Sequence, residues 1–330
     1  MFNIFLFQIK IFPFIVLFFI YELFVNPVRV LEGSGASINE TGRWKKAASL
    51  PSFRYEFVSG VLDGKIFTIG GIFLPSVWFP TNIVEVYDPQ TDIWKRGKKY
   101  PKRVHHTGVA VCEQMLYVVG GNGIRIIPQS SVYSYDAKKD FWKKRASLPT
   151  ARGALGVTCL EGLIYAVGGG VNKRPVNNLD VYDPDTNKWS TKAAMPTARE
   201  HLSVVAVNGR IFALGGYSGT RFNNLVSNEV YNPTTDTWES LAPIPYPVSA
   251  FAAVGMGNSI FIFGGEQGWA VSKEVHEYKI DENVWIRRPD LPTPRYALTA
   301  SVVGDSIHVI GGNDTIMGYK FSDSHDVFTP

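Results

Sequence analysis

Two groups of side chains in this sequence have the chemistry of a binding site, and the first combines aromatic rings with arginines. Aromatic faces stack on sugars and anchor protein partners, and arginine often accompanies them in such sites. Side chains of these types occur in the segments that follow apolar runs, and we take six as candidate ligand contacts: Trp78, Trp269, Tyr217, Arg125, Arg174 and Arg221. Trp78 could equally pack beneath its own segment FLPSVWFP. The ordinary alternative for the three arginines is a solvated rim.

The second group recurs at fixed offsets after a proline. Four arginines stand three residues after a proline: Arg54, Arg152, Arg199 and Arg295. Two residues further on, the six equivalent positions hold Glu56, His106, Ala154, His201, Ala250 and Ala297. Imidazoles and carboxylates can transfer protons, and a neighbouring arginine can hold a substrate carboxylate. A structural framework is the alternative for the arginines and for a single histidine, and His105 is expected to face away.

Both groups belong to a repeat that occupies most of the chain. Six glycine pairs begin at Gly70, Gly120, Gly168, Gly215, Gly264 and Gly311. A tryptophan precedes each pair by 26 positions, as 44 precedes 70: Trp44, Trp94, Trp142, Trp189, Trp238 and Trp285. Five of these tryptophans have a tyrosine seven residues earlier: Tyr87, Tyr135, Tyr182, Tyr231 and Tyr278. An apolar run such as IFTIGG or LYVVGG leads into every glycine pair, which is typical of a buried strand.

The repeat has a period of 47 to 50 residues and resembles the kelch repeat over residues 42 to 322. The resemblance implies an all-β chain that forms a six-bladed kelch β-propeller. Each blade would have four antiparallel strands: a after the proline turn, b ending at the glycine pair, c with the tyrosine and d with the tryptophan. The spacing from glycine pair to tyrosine varies, which indicates that the b–c loops form the binding face.

The resemblance also adds two candidate contacts near the start of strand a. In kelch domains that bind acidic peptides, the position two residues after the arginine can touch the ligand. His106 and His201 hold this position in two blades and are therefore expected at the mouth of the central channel. We include Arg199 as a candidate partner of these histidines.

The two ends of the repeat predict how the ring closes. Trp44 has no glycine pair before it, and the last pair has no tryptophan after it. We therefore expect the segment around Trp44 to supply strand d of the last blade, whose strands a, b and c come from the end of the chain. This gives a propeller over 40–322 and a C-terminal tail over 323–330.

The first 25 residues are almost wholly apolar, which predicts a signal peptide or a membrane anchor, with a short linker, over 1–36. The chain would then be extracytoplasmic, either secreted or attached to a membrane through this segment. The sequons Asn39-Glu40-Thr41 and Asn313-Asp314-Thr315 fit that expectation. The two cysteines, Cys112 and Cys159, are one residue out of register in neighbouring repeats. Buried free thiols are favoured over a disulfide because that offset points strand residues to opposite faces.

Composition and motifs narrow the function. The net charge of +4 is spread along the chain without a basic block, which argues against nucleic-acid binding. The sequence has no metal-ligand spacing, nucleophile elbow or nucleotide-binding loop, and we expect no cofactor and no metal. The leading hypothesis is a noncatalytic module that binds a protein segment or a glycan through its b–c loops.

Two enzyme hypotheses stand beside that module. The first is a carbohydrate-active enzyme similar to sialic-acid mutarotases, with Glu56, Glu200, His106, His201 and Glu266 around Arg199. The second is a copper enzyme similar to galactose oxidase. It ranks last because that site needs a tyrosine crosslinked to a cysteine and a further domain.

Overall fold

The chain forms six four-stranded antiparallel sheets, as the resemblance implied. The computed structural model describes residues 41–73, 79–220, 222–316 and 321–330. Each sheet is one blade, in which strand a pairs with b, b with c, and c with d. The expected all-β, six-bladed propeller is therefore confirmed. The apolar segment over 1–36, Asn39, Trp78 and Arg221 lie outside the described residues.

The first three blades run consecutively along the chain, with strands given in the order a, b, c, d. Blade 1 contains Val58–Leu62, Lys65–Ile69, Val84–Asp88 and Ile93–Arg96. Blade 2 contains Gly108–Cys112, Met115–Val119, Val132–Asp136 and Phe141–Lys144. Blade 3 contains Gly156–Leu160, Leu163–Val167, Leu179–Asp183 and Lys188–Lys192.

The remaining blades follow the same order, except that the last combines both ends of the chain. Blade 4 contains Ser203–Val207, Arg210–Leu214, Asn228–Asn232 and Thr237–Ser240. Blade 5 contains Ala252–Met256, Ser259–Phe263, Val275–Lys279 and Val284–Arg288. Blade 6 contains Thr299–Val303, Ser306–Ile310, His325–Thr329 and Arg43–Lys46.

Blade 6 confirms the predicted closure and corrects the predicted end of the propeller. The strand with Trp44 pairs with the last strand of the chain, and Trp44 lies opposite Phe328. Strand c of this blade is His325–Thr329, so the propeller reaches residue 329 and 323–330 is not a tail. The prediction stopped at 322 because this repeat lacks the tyrosine and tryptophan that mark strands c and d elsewhere.

The b–c connections carry short elements of their own. Two of these connections form a two-residue strand pair within themselves: Gly170–Val171 with Arg174–Pro175, and Glu266–Gln267 with Ala270–Val271. In blade 1, Ile72–Phe73 of the b–c connection pairs with Arg54–Tyr55, which precedes strand a. Blade 2 has a 3₁₀ turn over Ile124–Ile126. Within the part of the chain that the structure describes, no helix is long and apolar enough to cross a bilayer.

The repeated tryptophans join each blade to the connection that leaves the preceding one. Trp94 donates its indole N–H to the carbonyl of Ala48, at 2.8 Å, and Trp189 donates to that of Ala146, at 2.9 Å. The remaining four make the equivalent bond, at 2.8–3.1 Å, from Trp44, Trp142, Trp238 and Trp285. Each indole also covers apolar surface between sheets, so blade-to-blade packing explains the fixed position of tryptophan in the repeat.

The glycine pairs allow the backbone of the next blade to approach strand b. Gly70 and Gly71 have φ values of +69° and +93°, and a Cβ on Gly70 would stand 2.5 Å from the carbonyl oxygen of Val104. That same carbonyl accepts the N–H of Gly71, at 2.8 Å. The pair therefore provides both the left-handed backbone and the contact between blades, which a side chain would prevent.

Two expectations about single residues are wrong. Cys112 and Cys159 form a disulfide, with their Cα atoms 5.6 Å apart. The offset rule applies to strands within one sheet, whereas these cysteines lie on strands a of two neighbouring sheets, whose relative height the register does not fix. Asn313 of the second sequon is buried in the connection between strands b and c of blade 6. Its side chain is therefore not presented at the surface, as a glycosylation acceptor must be.

Candidate functional site

A ring of backbone hydrogen bonds surrounds the channel at the start of the six a strands. The N–H of His106 donates to the carbonyl of Glu56, at 3.0 Å, and the N–H of His201 donates to that of Ala154, at 2.9 Å. The other four bonds of the ring join Ala154 to His106, Ala250 to His201, Ala297 to Ala250 and Glu56 to Ala297. All six residues have φ between +50° and +56°. One shared, non-glycine left-handed conformation therefore sets the direction of all six side chains.

Three of these six side chains are functional groups, and they meet at the channel mouth. We call Glu56, His106 and His201 the mouth cluster; a ligand-type atom from each lies within 4.8 Å of the other two. Nε2 of His106 is 3.3 Å from Oε1 of Glu56, and the rings of His106 and His201 meet edge to face, with centroids 4.8 Å apart. Alanine in the other three blades leaves room for them. The structure thus brings His106 and His201 together as predicted, and adds Glu56.

A second layer of residues surrounds the mouth cluster. The residue before a position of the hydrogen-bonded ring pairs with the residue after a glycine pair. Examples are His105 with Asn122, Glu200 with Tyr217, and Ser249 with Glu266. The ring of Tyr217 stacks on His201, with centroids 4.8 Å apart, and its hydroxyl donates to Glu200. His105 does not face away as expected, since its Nδ1 contacts Nδ1 of His106.

Burial shifts the pKa values of the carboxyl groups and of the imidazoles in the site. Burial raises the pKa of Glu56 to about 8, and the neighbouring carboxylates of Glu266 and Glu200 add to the shift. Burial also raises the pKa of Glu200. For the imidazoles burial acts in the other direction, because it lowers the pKa of His201 to about 4 and that of His106 well below its usual value. At neutral pH the histidines are uncharged, and Glu56 holds a proton for much of the time.

The cluster opens into a cavity of about 420 Å³ on the side of the b–c loops. Strand a begins on the face where strand b ends, so the b–c loops and the mouth lie together; we call this side the b–c face. Tyr217 lines the cavity, together with Glu200, Glu266 and Lys173. Of the other described candidates, Arg125, Arg174 and Trp269 do not line it and belong to the surrounding loops.

Exposed apolar side chains also lie in the b–c loops, and one of them, Ile126, lines the cavity. We define the apolar rim as six exposed residues of the b–c loops: Phe79, Ile124, Ile126, Ile127, Phe222 and Trp269. Trp269 is 64% exposed and lies against Phe222, which is 55% exposed, with ring centroids 5.1 Å apart. Exposed apolar groups gathered on one face are typical of an interaction surface.

Arg199 is not part of the site. Its side chain is fully buried, and its guanidinium donates to Glu229, at 2.6 Å, and to the carbonyl of Ala213, at 2.9 Å. Arg54, Arg152 and Arg295 are buried in the same way against Glu85, Asp180 and Asp326. These arginines join the start of strand a to strand c within a blade. Among the described residues no arginine lines the cavity.

Sequence reasoning gave Glu56, Glu200 and Glu266 only a conditional place in the site. A signal for two of the site residues exists, because Tyr217 and Glu266 directly follow glycine pairs and occupy equivalent places in blades 4 and 5. The residue at that position lines the cavity in blades 2 to 5, as Asn122, Gly170, Tyr217 and Glu266. Reading it across the six repeats would have placed both residues beside His201.

Comparison with known families agrees with this architecture. The family model described as the KLHDC2/KLHL20/DRC7 Kelch-repeats domain matches residues 58–265, and a Kelch motif model matches residues 247–292. The chain belongs to the kelch-repeat family. The first match begins at strand a of blade 1 and ends within the glycine pair of blade 5, so it covers most of the ring.

Relatives of this kelch chain match it over short stretches. Kelch-like protein 35 of Homo sapiens is 33% identical over 78 residues, which cover 24% of this chain and 13% of that protein. Kelch-like protein 40b of Danio rerio is 37% identical over 80 residues, again 24% of this chain and 13% of the relative. Beta-scruin of Limulus polyphemus is 28% identical over 103 residues, which cover 29% of this chain and 11% of that protein. The chain thus matches only a small part of each relative.

Proposed function

We propose that this kelch propeller is a noncatalytic binding module that holds a protein segment on its b–c face. The observation that carries the proposal is the apolar rim, because six large apolar side chains are exposed in the b–c loops, on the face where the cavity opens. Aromatic anchors of this kind account for most of the binding energy in protein interfaces. The cavity within the rim provides a recess in which one side chain of the partner can be held.

The test compares two faces of the same protein. The full-length chain is used to capture partners from its native source, beside a b–c face variant, Trp269→Ser with Phe222→Ser. The matched control changes Phe141→Ser and Ile93→Ser, which are also exposed but lie at the c–d turns on the opposite face. We expect the b–c face variant to recover about tenfold less partner than the parent chain, or less still, because the substitutions remove a binding hot spot.

Equal recovery by both variants would contradict the proposal. Recovery that disappears when glycans are removed from the captured proteins would assign the ligand as a glycan instead of a protein segment. Circular dichroism and thermal melting of each variant, measured first, should show that the surface substitutions leave the propeller folded.

We further propose that the propeller is exported, or displayed outside the cytoplasm on a membrane anchor. Two observations support this: the apolar composition of residues 1–25, and the disulfide between Cys112 and Cys159. Disulfides persist mainly in oxidising compartments. Alkylating the native protein before and after reduction, followed by mass spectrometry, should show both cysteines protected until reduction. Full alkylation without reduction would contradict an oxidising location.

A further inference from the structure

Three residues of the mouth cluster form a donor set that no proposal above uses. Glu56, His106 and His201 come from blades 1, 2 and 4, so the fold brings together groups that are about 50 and 95 residues apart in sequence. The side chains of Glu56 and His106 are 13% and 15% exposed, and both line the cavity.

The backbone holds these groups in place before any ligand arrives. Each residue has a left-handed φ, at 56°, 51° and 54°, and each belongs to the ring of hydrogen bonds between blades. A left-handed conformation is unfavourable for a non-glycine residue, because its Cβ approaches the following carbonyl oxygen. Neighbouring blades impose it on all six ring positions, so the direction of the side chains is a property of the whole ring.

The spacing of the donor atoms suits a single small cation. Ligand atoms about 2.1 Å from one tetrahedral ion lie about 3.4 Å apart. Nε2 of His106 and Oε1 of Glu56 are already 3.3 Å apart, and the nitrogen of His201 lies within 4.8 Å of both. The three donor atoms therefore lie close enough together to face one ion.

Groups around the cluster favour a cation. Nδ1 of His201 is buried without a hydrogen-bond partner, and a buried unsatisfied nitrogen is destabilising. The ring of Tyr217 fixes the plane of His201, and His105 contacts the Nδ1 side of His106, so that Nε2 of His106 faces the channel axis. Carboxylates of Glu200 and Glu266 line the same cavity and add negative charge.

We propose that Glu56, His106 and His201 bind one divalent first-row transition-metal ion, with zinc included in that class. Two imidazoles and one carboxylate suit these ions, whereas Ca²⁺ takes six to eight oxygen ligands and Mg²⁺ keeps an octahedral shell of oxygens. Three protein ligands leave coordination positions open toward the cavity, where a water or a group of a bound partner can reach the ion. The inference does not depend on the b–c face binding a protein.

The test uses Co²⁺ as a probe, because its visible absorption reports the ligand geometry. The full-length chain, free of any affinity tag and purified in mild detergent, is treated with a chelator and titrated with CoCl₂. We expect visible bands that saturate at one Co²⁺ per chain, disappear on addition of ZnCl₂, and persist in a large excess of MgCl₂ or CaCl₂. Absence of the bands in folded protein, or displacement by equimolar Ca²⁺, would overturn the assignment.

Variants connect the ion to its ligands. His201→Ala and Glu56→Gln should each weaken Co²⁺ binding about 100-fold or more, above the effect expected even for second-shell changes. The matched control is Glu161→Gln, a glutamate with φ of 51° in the a–b turn of blade 3, which should bind as the parent does. Unchanged affinity in the double variant Glu56→Gln with His201→Ala would refute the site.

A second readout separates loss of binding from loss of folding. ZnCl₂ at 100 times its dissociation constant should stabilise the parent chain by about 2.7 kcal/mol, which raises its melting temperature. The cluster variants should melt cooperatively without metal and show no such rise. A rise as large as that of the parent would show that the ion binds elsewhere and would also refute the site.

Discussion

The two faces of the propeller are built from connections of different kinds. On the face opposite the mouth, two residues join strand a to strand b in all six blades, as between Leu62 and Lys65. On the b–c face the connection runs from Ile69 to Val84 in blade 1, but only from Val167 to Leu179 in blade 3. The apolar rim and the cavity lie on the second face.

The difference between the two faces shows which connections can change in length and sequence without disturbing the blades. Two-residue turns must match the twist of the strands that they join, so their backbone conformation is nearly fixed. The b–c loops have no such restriction, because a longer connection adds little free energy for each added residue. Differences in sequence and length between repeats therefore occur in the b–c loops, where a partner can contact them. The ring of hydrogen bonds at the channel mouth keeps the same backbone conformation in every blade.

The first prediction concerns a buried arginine that supports a blade without being part of the b–c face. Arg199 lies two residues before His201 in the sequence, yet its guanidinium is buried against Glu229. Arg199→Met should leave that carboxylate buried and unpaired, and the free energy of unfolding should fall by about 3–5 kcal/mol. Chemical denaturation measures the loss. Folded Arg199→Met protein should still bind partner and metal as the parent does.

The control for this prediction replaces both members of the pair. In Arg199→Met with Glu229→Leu, no buried charge remains uncompensated, and most of the lost stability should return. If the single variant were as stable as the parent but lost its binding, Arg199 would belong to the site and the division proposed here would be wrong.

A smaller effect compares the same substitution on the two faces. Gln114 in the a–b turn of blade 2 and Lys173 in the b–c loop of blade 3 have φ of 62° and 65°. Glycine adopts this conformation without strain, so Gln114→Gly and Lys173→Gly should each raise the free energy of unfolding by about 1 kcal/mol. Thermal melting measures both.

The two glycine variants should differ in binding. Lys173 lines the cavity, whereas Gln114 lies on the opposite face, so only Lys173→Gly should change the affinity for a partner. A change in affinity from Gln114→Gly alone would reverse the assignment of the faces.

Much of the fold could be predicted from the sequence, because the repeat fixes one contact many times. The tryptophan recurs in every repeat because each indole makes a bond across the blade interface, as Trp94 does with Ala48. The unpaired Trp44 was enough to predict the closure of the ring. The end of the last blade was misplaced because Phe328 occupies the position that tyrosine marks in the other blades.

The site was harder to predict because it depends on contacts between sheets. Periodicity along one strand says which face a residue occupies, but not how high it lies relative to the next blade. The same limitation explains why the disulfide of Cys112 and Cys159 was missed and why His105 was given no role. Arg199 was misassigned because a buried ion pair and an exposed ligand contact have the same signature in sequence, and only burial distinguishes them.

Photo-crosslinking from each face in turn shows which face of the propeller contacts a partner. A photoreactive phenylalanine analogue replaces Trp269 on the b–c face or Phe141 on the opposite face, two aromatic residues that are 64% and 57% exposed. Irradiation in the native source should give a discrete protein adduct from position 269 and none from position 141. Adducts of equal yield from both positions, or from position 141 alone, would contradict the b–c face as the binding surface.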